Sequence, residues 1–191
     1  MRQENITITV ADLLDREQIR HVFARYSRGM DRQDADILAS VYWPDGWDDH
    51  GVFEGKPPEF IENLTTLWKS FRMIHLTGQS YIELDGRFAN TETYFIAYHV
   101  VGDGDDTRDM VNGGRYVDRL EKRSDEWRIL HRTAVYDWTR DLGPSDRWDT
   151  PWYEGLDPQA RSRGKTGADY SWHMFANLPI ERGSGTRYAM K

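Results

Sequence analysis

Apolar residues return at helical spacing over the first third of the chain. From about Ala11 to Met30, the residues Leu14, Ile19, Val22, Phe23, Tyr26 and Met30 recur at intervals that place them on one stripe of an amphipathic helix. Thr9 followed by Asp12 has capping-box spacing at its start, and Gly29 sits where such a helix would end. Asp34 can cap a second, shorter helix carrying Ile37, Leu38, Val41 and Tyr42, until Pro44 stops it. A polar turn region, Trp47 to Gly55, is expected next. Pro57 then suits the first turn of a third helix with Phe60, Ile61, Leu64, Leu67, Trp68 and Phe71 on one face.

From Met73 the period changes to two, the spacing of a strand. Between Met73 and Leu84, Ile74, Leu76, Ile82 and Leu84 share one parity, and His75, Thr77, Gln79 and Tyr81 share the other. Asp85-Gly86 reads as a hairpin turn. Ala89 to Val101 is rich in Thr, Tyr, Phe, Ile and Val, and the acidic run holding Asp103, Asp105 and Asp106 reads as a solvated loop. Further strands are expected over Arg108 to Glu121 and Trp127 to Trp138, joined by a polar turn at Lys122 to Glu126. Gly113-Gly114 within a strand suggests a bulge that bends the sheet. Three N-terminal helices followed by an antiparallel meander predict an α+β layer.

Past Leu142 the frequent Gly and Pro break any long periodicity, so residues 1–141 are expected to form one domain and 142–191 an irregular extension. The extension carries Trp148, Trp152, Tyr153, Tyr170, Trp172 and Phe175, enough aromatic surface to predict packing on the domain or on a neighbouring subunit.

Composition narrows the chemistry. The 191 residues include no cysteine, which excludes disulfides, thiolate metal sites and a cysteine nucleophile. A net charge of -7 with scattered Arg and Lys argues against a nucleic-acid partner. The N-terminus has no apolar stretch behind a basic start, and no later run approaches a membrane span, so a soluble, cytoplasmic protein is expected. Mean hydropathy is -0.79, yet there are 8 Trp, 10 Tyr and 7 Phe. Either these rings build a small core and a subunit interface, or they line a pocket for an apolar or aromatic ligand.

The segments ARYSRGMDRQD and FRMIHLTGQSYIEL carry a resemblance to the SnoaL-like family of the NTF2-like superfamily, as does GRYVDRLEKRSDEWRILHRTAVYDW. The match runs from about Ala11 to Asp141. It implies a cone in which three helices pack on a strongly curved antiparallel sheet. It also implies an acid/base pair, Asp31 at the end of the first helix and His75 on the first long strand, with Tyr26 five residues before Asp31. His99 falls where relatives such as scytalone dehydratase and bile-acid 7α-dehydratases place a second pocket residue. His131 and Arg132 take opposite sheet faces; the resemblance favours Arg132 as a cationic pocket residue without settling which is inward. Tyr42 and Trp43 are further candidates for substrate contact.

Relatives of this kind, which include hexachlorocyclohexane dehydrochlorinase and lyases of lignin-derived diarylpropane diols, remove a proton and expel a leaving group without a metal or cofactor. A neutral His suits the base because its unperturbed pKa of about 6.5 lies near working pH. Asp31 would fix the His75 tautomer and stabilise its imidazolium. The expected activity is a lyase acting on a bulky aromatic alcohol or diol, by dehydration or by a cleavage releasing formaldehyde. An isomerase or polyketide cyclase in the same pocket, or a non-catalytic binding module, are the alternatives. Asp48, Asp49 and His50 read as loop polarity, with His50 a minor pocket candidate. Apolar residues left on the outer sheet face, together with the resemblance, predict a homo-oligomer, a trimer or dimer.

Overall fold

The computed structural model describes residues 8–102 and 106–145, together with Ser171 and Phe175. Helix α1 spans Val10–Arg32 and opens on the expected capping box: Asp12 N–H donates to Thr9 Oγ1 while Thr9 N–H donates to the Asp12 carboxylate. It does not stop at Gly29. The helix continues to Gln33, which takes the left-handed conformation at φ 50°. Gly29 instead lets the second helix approach, since a Cβ there would lie 2.8 Å from Leu38 Cγ. Helix α2, Ala35–Val41, is capped by Asp34, which accepts from Ile37 N–H.

The expected polar turn at Trp47 to Gly55 is confined to residues 50–53, between two strands, β1 at Tyr42–Asp49 and β2 at Glu54–Gly55. They separate α2 from α3, Pro57–Thr66, so the three helices are not consecutive. Gly46 permits β1 to pass close to its neighbour, because a Cβ there would meet the Leu130 carbonyl oxygen at 2.6 Å. Pro57 occupies the first turn of α3 as expected, but the helix ends at Thr66. Leu67 is consequently exposed, and Trp68 and Phe71 reach the core from the turn beyond.

Four long strands follow: β3 Arg72–Asp85, β4 Phe88–Val101, β5 Arg108–Arg123 and β6 Glu126–Pro144. The sheet order is β2-β1-β6-β5-β4-β3, and β1 runs parallel to β6, so the sheet is mixed where a purely antiparallel one was expected. Gly86, at φ 59°, turns β3 into β4. Ser124 and Asp125, at φ 48° and 65°, turn β5 into β6, as a two-residue hairpin requires. Residues 103–105, and with them Asp103 and Asp105, lie outside the described residues.

Register shifts bend the sheet, and two of them shape its inner face. In β3 the register slips between Thr77 and Ser80, which reverses the parity of everything beyond. Met73 and His75 face inward before the slip and Ile82 after it, leaving Ile74 and Leu76 on the outside. The single-parity reading of this strand therefore fails. The second bend is at Gly113 and Gly114, opposite Trp138 and Tyr136, where a Cβ on Gly114 would lie 2.0 Å from the Val135 carbonyl oxygen. That is the glycine bulge the sequence suggested.

The core lies between the inner sheet face and the helices, built from Ile19, Val22, Phe23, Leu38, Phe60, Leu64, Ile82, Leu120, Trp127 and Ile129 among others. No helix among the described residues is long and apolar enough to cross a membrane. The extension at 142–191 falls almost wholly outside the described residues. Ser171 and Phe175 both meet Arg28 on α1, which donates to Ser171 Oγ at 3.1 Å and lies over the Phe175 ring at 4.7 Å.

Candidate active site

The inner sheet face and the helices enclose a cavity of about 310 Å³. Its lining is largely aromatic, with Phe60, Trp68, Phe71, Phe95, Tyr116 and Tyr136, and three histidines, His50, His75 and His99, interrupt it. An apolar pocket with a few convergent polar groups is the usual form of a small-molecule site.

Asp31 stands in the last turn of α1, and β3 packs across that helix end. One Asp31 oxygen, Oδ1, accepts both the backbone N–H of His75 at 2.9 Å and His75 Nδ1–H at 2.7 Å. With Nδ1 donating to the carboxylate, the neutral tautomer of this ring has its lone pair on Nε2. His75 is buried and lines the cavity, while the Asp31 side chain retains 14% exposure. The structure thus joins two residues 44 positions apart into a hydrogen-bonded dyad at the cavity wall.

His99 lies beside this dyad, with ring centroids 5.6 Å apart and nearly perpendicular to His75. Burial, reinforced by the neighbouring His75 and His50, lowers its pKa to about 4, so it is neutral at physiological pH. Arg132 is the inward member of its pair with His131, but it does not touch the cavity. It is fully buried in a bidentate pair with Asp118, two bonds of 2.7 Å, and its guanidinium lies over Tyr26 at 4.0 Å and Tyr116 at 4.2 Å. Burial disfavours its charge, but Asp118 outweighs that and holds the pKa well above the usual arginine value. Tyr26 and Tyr42 are likewise buried behind the cavity wall, and burial pushes both hydroxyls far up. Trp43 is placed elsewhere, donating to the Glu121 carbonyl beneath Arg123 and Arg128.

Asp48 and His50, read from sequence as loop polarity, form a second dyad. Asp48 is fully buried, accepts from Tyr42 Oη at 2.5 Å, and makes a very short contact with His50 Nδ1. His50 Nε2 is 2.9 Å from Tyr26 Oη. The available signal was the i, i+2 spacing of Asp48 and His50, which brings two side chains to one side of an extended chain. Tyr116, also missed, follows from the inward phase of Gly114, Tyr116, Asp118 and Leu120 along β5. Among the described residues no three His, Asp or Glu converge as a metal ligand set.

Helices packed on a curved sheet around an apolar cavity, with an Asp-His dyad in its wall, have the form of an NTF2-like small-molecule enzyme or binding protein. The profile of the SnoaL-like domain family matches residues 11–133, and the chain belongs to that family. An uncharacterised protein of Mycobacterium tuberculosis is 28% identical over 133 residues, covering 67% of this chain and 89% of its own length. Among solved structures, a type 2 hexachlorocyclohexane dehydrochlorinase, LinA, superposes with a TM-score of 0.64 at 17% identity, covering 73% of this chain and 95% of the other. A scytalone dehydratase-like protein from Novosphingobium aromaticivorans gives 0.61 at 20% identity, covering 71% and 91%. At these identities the two structures speak for the fold.

Proposed function

We propose that the protein is a cofactor-independent lyase that acts on a bulky aromatic alcohol or diol. The observation that carries this reading is the His75 imidazole, held by Asp31 through Nδ1 in the wall of an aromatic cavity. In the proposed reaction Nε2 takes a proton from the substrate, the electron pair forms a double bond, and the adjacent oxygen leaves as water. With a 1,3-diol the same base takes the proton of the terminal hydroxyl, the carbon-carbon bond breaks to release formaldehyde, its electron pair forms the double bond, and the other hydroxyl takes up a proton and leaves as water. Asp31 stabilises the imidazolium formed in either case. The dehydrochlorinase and dehydratase names among the structural neighbours support elimination chemistry. An isomerase would use the same base and return the proton to another carbon.

The test is a screen of aryl vicinal and 1,3-diols with wild type and His75→Ala, reading products by mass. Loss of water or of formaldehyde by wild type alone is the expected result. An unchanged substrate mass with a moved double bond selects the isomerase reading, and equal activity in both proteins rejects His75 as the base.

The proposal includes a homo-oligomer, a trimer or dimer, in a cytoplasmic setting. Ile74, Leu76, Tyr94 and Ile96 are exposed on the outer sheet face, apolar surface that association would cover. Light scattering at micromolar concentration tests this, and a monomer would refute it.

A further inference from the structure

Elimination of water needs an acid as well as a base, because hydroxide is a poor leaving group. The dyad of Asp31 and His75 supplies only the base. The second dyad differs from it in one physical respect: the Asp48 side chain is fully buried, whereas Asp31 is partly exposed. A carboxylate removed from water is stable only beside a cation or several donors. Asp48 has two such partners, the Tyr42 hydroxyl and His50 Nδ1. The other nitrogen of that ring, Nε2, lies 2.9 Å from Tyr26 Oη, so a proton carried there has a path toward the cavity.

Tyr26 in turn packs edge to face on Tyr116, the ring centroids 5.4 Å apart. Tyr116 lines the cavity and stacks on Phe95 at 4.3 Å. Burial opposes ionisation of the Tyr116 hydroxyl, while the Arg132 guanidinium over its ring and the neighbouring Tyr26 hydroxyl ease it. These contacts lead from a buried carboxylate to the cavity wall.

We propose that Asp48, His50, Tyr26 and Tyr116 form the acid limb of the site, passing a proton from His50 to the leaving oxygen of the substrate. This rests on the lyase reading above. As the carbon-oxygen bond breaks, the departing oxygen takes the Tyr116 proton and leaves as water. Tyr116 takes the proton of Tyr26, and Tyr26 takes that of His50 Nε2. His75 ends protonated and His50 neutral, and solvent restores both between turnovers. Tyr116 is the catalytic residue of this limb; Tyr26, His50 and Asp48 act through it.

The experiment pairs two substrates of one carbon skeleton, one with a hydroxyl and one with a chloride in its place. Chloride leaves without a proton, so only the hydroxyl substrate needs the acid limb. Tyr116→Phe and Tyr26→Phe are expected to lower kcat on the hydroxyl substrate by about 10²-fold or more and on the chloride by less than about 5-fold. His75→Ala is expected to lose both activities. Equal losses on the two substrates in the Phe variants, or no loss on the hydroxyl substrate, overturn the relay and leave the lyase reading standing. Turnover of neither substrate by wild type removes the lyase reading and the relay together. Nitrogen-15 NMR of the histidine rings in the wild-type protein at neutral pH is independent of turnover. It is expected to find His50 protonated on both nitrogens, and a bare Nε2 on His50 overturns the relay.

Discussion

The pair of Arg132 and Asp118 sits where a lone charge is hardest to tolerate. Both side chains have no exposed surface, and two bonds of 2.7 Å join them across β5 and β6. Replacing Arg132 with Met leaves a buried carboxylate without its cation, a change that destabilises by about 3–5 kcal/mol. Asp118→Leu leaves the opposite orphan, partly relieved by the faces of Tyr26 and Tyr116 that already hold the guanidinium at 4.0 and 4.2 Å. The loss there should fall at the lower end of the same range. The double variant leaves neither charge orphaned, so it should lie closer to wild type than either single change. Urea unfolding followed by tryptophan fluorescence measures all three. At a slope of about 2 kcal/mol per M, the single changes move the midpoint down by about 1.5–2.5 M. Single variants that lose less than about 1 kcal/mol, or a double variant that loses the sum of both, would refute the reasoning.

Three further outcomes are expected. Asp31→Asn keeps an acceptor oxygen but removes the charge that stabilises the His75 imidazolium, so kcat should fall by about 10²–10⁴-fold with little change in KM, measured on the best substrate of the diol screen. Gly114→Ala should destabilise by at least about 2 kcal/mol, because its Cβ meets the Val135 carbonyl oxygen at 2.0 Å; Gly113→Ala should do less, since its nearest obstacle is the Trp138 ring, 42% exposed and able to swing outward. His99 has its pKa lowered from 6.5 to about 4 by burial and by His75 and His50, so the folded state resists its protonation. The unfolded chain binds that proton first, so stability present above pH 6.5 declines as pH falls toward 4, by about 3 kcal/mol at most. His99→Gln should flatten that part of the stability curve in urea titrations at successive pH values.

The helices were legible in the sequence because each has its own local signals: the capping box at Thr9, the Asp34 cap and Pro57 in a first turn. Strand β1 was not. Its inward positions are Tyr42, Gly46 and Asp48, and a glycine and a buried aspartate do not read as an apolar alternation. Its partner β6 lies some eighty residues away in a parallel pairing, which leaves no local turn signature. The parity of β3 was misread for a related reason, since the slip after Thr77 depends on how β4 pairs with it and not on β3 alone. For the site, the pairing of Asp31 with His75 came from resemblance, because no spacing rule links residues 44 positions apart. Asp48 and His50 were hidden by their setting in a polar stretch. The buried hydrogen bonds that make them a dyad exist only once α1 and β1 are packed together.

The central claim is that His75, oriented by Asp31, is the base of an elimination in this cavity. Its most direct test is the ratio of kcat for wild type and His75→Ala on one aryl diol, with product identified by mass and folding verified by urea midpoint. Release of water or formaldehyde by wild type, and a fall of about 10²–10⁴-fold in a folded variant, are the expected results. A folded His75→Ala protein that forms the same product at the wild-type rate would contradict the claim.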